Sequence, residues 1–195
     1  MTKKKKQRSA RSQRPPQARK VWANPPQKLL ADMDEVDRLT GRKKWTAALA
    51  KLQELDQAYP LQPAILTELV NVCYELHDLA KYLHYIEQLA QITPPDSDTL
   101  LGLGGAYLSN MYPALAWQTF QRFIAQYPHH ERADEVRQTI AGLESGLHEF
   151  LQELESKHKK PYEAAARHDE IRLRMTQGQF KAARQIANQL LQHDP

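Results

Sequence analysis

Four segments of the chain, LQELDQAYP, IEQLAQITP, FQRFIAQYP and ANQLLQHDP, share one pattern: apolar side chains at helical spacing, then a proline that stops the run. The prolines ending the first three are Pro60, Pro94 and Pro128, each 34 residues after the last. Pro195 follows 67 residues later, one short of two periods. A fixed period of this size marks stacked supersecondary units rather than one closed core.

Between the third and fourth segments the pattern changes. In ERADEVRQTIAGLESGLHEFLQELES the apolar positions Ala133, Val136, Ile140, Leu143, Leu147, Phe150 and Leu154 alternate by three and four without a break. That phase predicts one helix from about Arg132 to Lys157, about 40 Å long at 1.5 Å per residue. Gly142 and Gly146 weaken such a helix and are places for a kink. A degenerate hairpin turning near Ser145-Gly146 fits the same length, so both readings stand.

The residue types within each period carry a resemblance. The unit from Ser97 to Pro128 has Leu100, Leu103-Gly104 and Tyr107 in its first half and Ala116, Phe120 and Pro128 in its second. The unit ending at Pro94 keeps Leu66, Leu69, Leu79 and Ile86, with Val70 at a position where glycine is usual and Tyr82 where alanine is usual. The unit ending at Pro60 keeps Trp45, Ala48 and Leu52, and the last keeps Gly178, Phe180, Ala183 and Leu190. This resembles the tetratricopeptide repeat. The resemblance implies an all-α, right-handed solenoid of antiparallel helix pairs, in which small residues such as Ala48, Gly104, Ala116 and Ala183 admit the large residues of a neighbouring helix. It divides the chain into three helix pairs over residues 27–130, the long helix or degenerate fourth repeat over 131–160, and a final pair over 161–195. Turn chemistry agrees: Asp78 is placed to cap a helix beginning at Leu79, Pro113 to open one, and Gly178 to take a left-handed conformation.

Composition supports helix over sheet. The 195 residues are 41% hydrophobic, with 25 Leu and 23 Ala against 12 Val and Ile combined. This balance argues against a β-sandwich or parallel-sheet enzyme. No stretch approaches 18 consecutive apolar residues and no apolar segment follows the basic N-terminus, so the chain is expected to have no membrane span or secretory signal and to be cytoplasmic. A single cysteine makes no internal disulfide and no thiolate metal site.

Charge divides the chain in two. Residues 1–30 hold ten Lys or Arg and no acid, whereas 31–195 hold 17 basic and 23 acidic side chains, so the net +4 is the sum of +10 and −6. Residues 1–26 are too polar to bury a core and read as a disordered basic tail. Its cations are Lys3, Lys4, Lys5, Lys6, Arg8, Arg11, Arg14, Arg19 and Lys20, suited to non-specific contact with RNA, DNA or an anionic surface. With Trp22 as its only aromatic the tail has no base-stacking platform. Two other roles fit: an unattached solvated arm, or an arm that folds back on an acidic part of the body.

Candidate chemistry is sparse. His148-Glu149 lacks the second histidine of a zincin helix, His129-His130 follows Pro128 in a loop, and no metal site or cofactor is expected. Cys73 falls where Tyr107 falls one repeat later and reads as a small core residue. Gly102, Gly104 and Gly105 fall within a helix rather than a phosphate loop. No catalytic residues emerge, and the chain is read as a non-enzyme.

In tetratricopeptide proteins the first helices of the pairs line a concave groove that takes peptides or helices. Carried over by register, the groove positions are Met33, Asp34 and Asp37; Thr67, Glu68, Asn71, Tyr74 and Glu75; and Asp98, Leu101, Gly105 and Leu108. This face is acidic at one end and apolar with small residues at the other, suited to a basic and apolar ligand; equally, the acids read as a solvated face. The repeats that clamp acidic chaperone tails use Lys, Asn and Arg, but Met33, Asp37, Glu68, Asp98 and Gly102 stand in those places, with only Asn71 a suitable donor. The resulting expectation is a non-catalytic protein-interaction scaffold. The alternatives are a nucleic-acid-associated protein acting through the tail, or the regulatory front of a larger enzyme. The last repeat ends without a polar capping helix, which leads to an expectation of edge-to-edge association or a longer array.

Overall fold

The structure, a computed structural model, describes residues 26–155 and 158–193. The basic tail expected over residues 1–26 lies outside these except for Pro26, as do all nine cations assigned to it.

Among the described residues the chain forms nine helices and no strand: α1 (Gln27–Gly41), α2 (Trp45–Ala58), α3 (Pro63–Glu75), α4 (Leu79–Ile92), α5 (Ser97–Ser109), α6 (Pro113–Gln126), α7 (Ala133–Glu155), α8 (Pro161–Thr176) and α9 (Phe180–His193). Local chemistry starts several of them. Asp78 Oδ1 accepts from the Lys81 N–H at 3.1 Å and Asp96 Oδ1 from the Thr99 N–H at 2.8 Å, each satisfying a backbone donor that the first turn leaves free. Pro63, Pro113 and Pro161 open α3, α6 and α8, where a missing N–H does no harm.

Backbone geometry repeats with the sequence. Within the first three pairs the turn between helices holds one left-handed residue: Lys43 (φ 54°), His77 (φ 53°) and Met111 (φ 63°), spaced by 34. The α8–α9 turn uses Gly178 (φ 71°). The same register places another turn at residue 145, but Ser145 and Gly146 lie inside α7. Ala133–Glu155 is thus one continuous helix with no turn at residue 145. Val136, Ile140, Leu147, Leu151 and Leu154 are buried, with Leu143 partly buried between them, whereas Phe150 of the predicted stripe is 39% exposed and Leu151 takes its place.

Helix α8 packs against both α6 and α7, with α9 on α8. Three contacts seat α8. The Trp117 and Tyr162 rings stack with centroids 4.2 Å apart. Asp169 Oδ2 accepts from the Ala114 N–H at 2.8 Å, capping α6 from a distant helix. Glu87, buried in α4, accepts from the Tyr107 hydroxyl at 3.0 Å, the Gln177 amide at 2.9 Å and the Arg174 guanidinium at 3.3 Å. Burial and the Glu87 carboxylate hold the Tyr107 phenol well above its usual range.

Two apolar clusters share α4. Tyr85 joins the cluster of α1–α3, whereas Leu83 and Ile86 join that of α5–α8. Small residues sit where helices approach most closely. A Cβ on Gly104 would lie 2.8 Å from Phe120 Cδ1, well inside van der Waals contact. Gly102 makes the matching concession to Tyr82, whose hydroxyl would lie 2.7 Å from a Cβ there. The departure from the repeat pattern at Tyr82 is thus compensated one helix away.

Candidate binding groove

Eight of the twelve predicted residues, all on α3 and α5, line three depressions. Thr67 and Asn71 share a depression of about 530 Å³ with Asp98, Val70 and Tyr82. Tyr74, Asp98, Leu101 and Gly105 line a second, of about 430 Å³, with Leu79, Tyr82, Gly102 and Arg132. Glu68, Asn71, Tyr74 and Glu75 face a third, of about 460 Å³, with Thr40 and Trp45. Tyr74 is 64% exposed and forms a tilted pair with Tyr82, centroids 5.9 Å apart.

Four predicted residues stand apart from these depressions. Asp34 and Asp37 are exposed on α1, and Leu108 lies beyond them on α5, 39% exposed. Met33 is partly buried and packs on the α1–α3 core, so less of it faces outward than its register implied. The nine tail cations lie outside the described residues.

Sequence reasoning missed Tyr82, Leu79, His77 and Arg132. The signal for Arg132 was available: it stands 34 residues after Asp98, so the register of the groove continues onto the start of α7. Tyr82 carried no such signal because it belongs to a second helix of its pair, and only its size brings it to the groove floor.

Electrostatics distinguish this surface. The carboxylates of Asp34, Asp37, Glu68, Glu75 and Asp98 pair with no Lys or Arg among the described residues, while Arg38 Nε donates to the Asp34 backbone carbonyl at 3.1 Å. Partial burial raises the Glu68 carboxyl above its ordinary value, the Asp37 charge raises it further, and a hydrogen bond with Asn71 opposes both. Arg132 on the rim is held by Glu135 through two hydrogen bonds of 2.8 Å, so it does not neutralise these acids.

Gly105 completes the site. A Cβ there would meet nothing within 4 Å, and its φ is ordinary, so neither packing nor backbone requires glycine. Mid-helix glycine costs about 1 kcal/mol relative to alanine. Here it leaves bare backbone at the bottom of the second depression. Elsewhere a cavity of about 480 Å³ between α8 and α9 is bordered by Lys159, Lys160 and Arg167, of which Lys160 pairs with Glu163 and Arg167 with Glu170. None of the predicted groove residues lies there.

Cys73 is fully buried and its thiol is pushed up to about 11 by burial, which suppresses the thiolate. Among the described residues no group of three or more His, Cys, Asp or Glu side chains is placed to hold a metal ion, and no helix is long and apolar enough to cross a membrane.

Paired helices, a 34-residue backbone period and an open inner face define a tetratricopeptide-like solenoid. The solved structure of a MamA RS-1 ArsTM double mutant, a tetratricopeptide-type protein, superposes on it with a TM-score of 0.55 at 14% identity, over 86% of this chain and 94% of that one. TPR-like repeats described for a kinesin light chain of Podosopora anserina cover 84% of this chain and 92% of theirs at 17% identity, with a TM-score of 0.45. No family model matches the chain, and no curated protein matches its sequence.

Proposed function

We propose that the chain is a non-catalytic protein-interaction scaffold that takes a basic and apolar peptide or helix along the α1–α3–α5 groove. The observation that supports this reading is a set of carboxylates with no Lys or Arg partner among the described residues: Asp98 lines the depression that holds Gly105, Glu68 and Glu75 line another, and Asp34 and Asp37 are exposed on α1. Carboxylates left without cations attract a basic segment and lose little by exchanging water for Lys or Arg at a partly exposed site. Bare backbone at Gly105 admits close approach of an apolar side chain, with Tyr74 and Leu101 as walls and Leu108 extending the apolar surface. Asn71 offers the polar handle that fixes an extended ligand's register.

The test uses a fluorescent amphipathic peptide with Lys and Arg on one face and Leu on the other, titrated with the full chain and followed by anisotropy. Asp37→Asn, Glu68→Gln and Asp98→Asn combined are expected to weaken binding about tenfold, or about 1.4 kcal/mol. Added salt should weaken the native chain more than the variant. Equal affinity of native and variant chains, at every salt concentration, contradicts the proposal.

A further inference from the structure

We infer that the chain's own N-terminal segment, residues 1–25, is a ligand of the acidic groove and competes there with external partners. This rests on the groove reading above, since both place a basic segment on the same carboxylates.

Three observations lead to it. The first is complementarity: residues 1–25 hold nine cations and no acid, while the five groove carboxylates have no Lys or Arg partner among the described residues. The second is composition. Arg19-Lys20-Val21-Trp22 joins two cations to two apolar side chains, the chemistry assigned to the groove's ligand. The third is reach. The segment enters α1 at Pro26, and Asp34 lies seven residues after Gln27, about 10 Å along the helix. Extended chain spans up to about 3.5 Å per residue, so Arg19 and Lys20 reach about 20 Å from Pro26 and Lys3–Lys6 about 70 Å. Packed helices lie about 10 Å apart and α1 connects to α5 through α2, α3 and α4, so the acids of α5 are matched to the about 70 Å reach of Lys3–Lys6 and those of α1 to Arg19 and Lys20.

Tethering makes the contact competitive. Covalent attachment to α1 sets an effective concentration of the order of mM, so weak electrostatic contacts suffice to occupy the groove. An incoming partner must then displace the segment, and anything that removes positive charge from it opens the groove.

The experiment uses the full chain with Ser12→Cys carrying a nitroxide; Cys73, buried and with its thiol raised to about 11, does not take the label. Amide signals are compared before and after reduction of the nitroxide. At about 0.1 M salt, where the screening length is about 10 Å, signals of Asn71, Glu75 and Asp98 should lose intensity, and at about 1 M, where it is about 3 Å, they should recover. Arg19→Gln with Lys20→Gln should diminish the loss, and so should Asp37→Asn with Glu68→Gln; the first pair leaves the folded repeats untouched. Unchanged groove signals at low salt overturn the inference, as does a loss centred on α8–α9 or one that survives both sets of substitutions. No external partner is involved, so failure of the peptide titration above leaves this result interpretable, and the reverse holds too.

Discussion

Asp169 caps a helix 55 residues earlier in the chain: its Oδ2 accepts from the Ala114 N–H at 2.8 Å, with the Leu115 N–H at 3.4 Å and Arg172 on its other oxygen. The carboxylate is buried, and burial raises it above its usual range despite these partners. Asp169→Ala leaves two buried donors unmet and should destabilise by about 2–3 kcal/mol. Asp169→Asn keeps an acceptor and should cost about 1 kcal/mol. Denaturant midpoints of the two variants check the difference.

Adjacent glycines in α5 should respond in opposite directions. Gly104→Ala drives a methyl against the Phe120 ring and should destabilise by about 1–3 kcal/mol. Gly105→Ala meets nothing within 4 Å and should stabilise by up to about 1 kcal/mol while weakening the groove's ligand. Thermal unfolding and peptide titration of both variants separate packing from binding.

Like charge across α1 and α3 predicts a pH signature. Because Glu68 is raised in the folded chain, the native state binds its proton more readily than the unfolded state does. Its contribution therefore favours folding below the ordinary value of 4.5 and is lost as pH rises through the folded value. Asp78 and Asp96, lowered chiefly by hydrogen bonds with Lys81 and Thr99, contribute above their unfolded value and lose it as pH falls. Asp37→Asn should move the Glu68 titration down, though burial keeps it above the usual range. Carbon-detected NMR of the Glu68 carboxyl measures this.

Helix α7 offers a test of the missing turn. Gly146 sits at an exposed mid-helix position with nothing within 4 Å of its would-be Cβ, so Gly146→Ala should stabilise by about 0.5–1 kcal/mol. A chain turning at Ser145-Gly146 would instead lose stability, as Gly178→Ala should, given its φ of 71°.

Proline spacing made the pairs legible, and Asp78, Pro113 and Gly178 announced their turns through side-chain chemistry. Lys43, His77 and Met111 did not, since nothing local marks a lysine, histidine or methionine as left-handed; the repeat's packing imposes that conformation. The seating of α8 was likewise hidden. It depends on Arg174 meeting Glu87 across 87 residues and Asp169 meeting the Ala114 N–H across 55, pairings between distant helices that no local pattern marks. Counting by register picked out eight residues of α3 and α5 that line the depressions, but not Tyr82, and the α1 positions Met33, Asp34 and Asp37 that it also picked out do not line them.

Amide shift mapping of the full chain, titrated with the basic amphipathic peptide, tests the groove most directly. The account predicts shifts concentrated at Asn71, Tyr74, Gly105 and Leu108, diminished when Asp37, Glu68 and Asp98 are neutralised. Shifts centred on α8 and α9, or none with the peptide in excess, would contradict it.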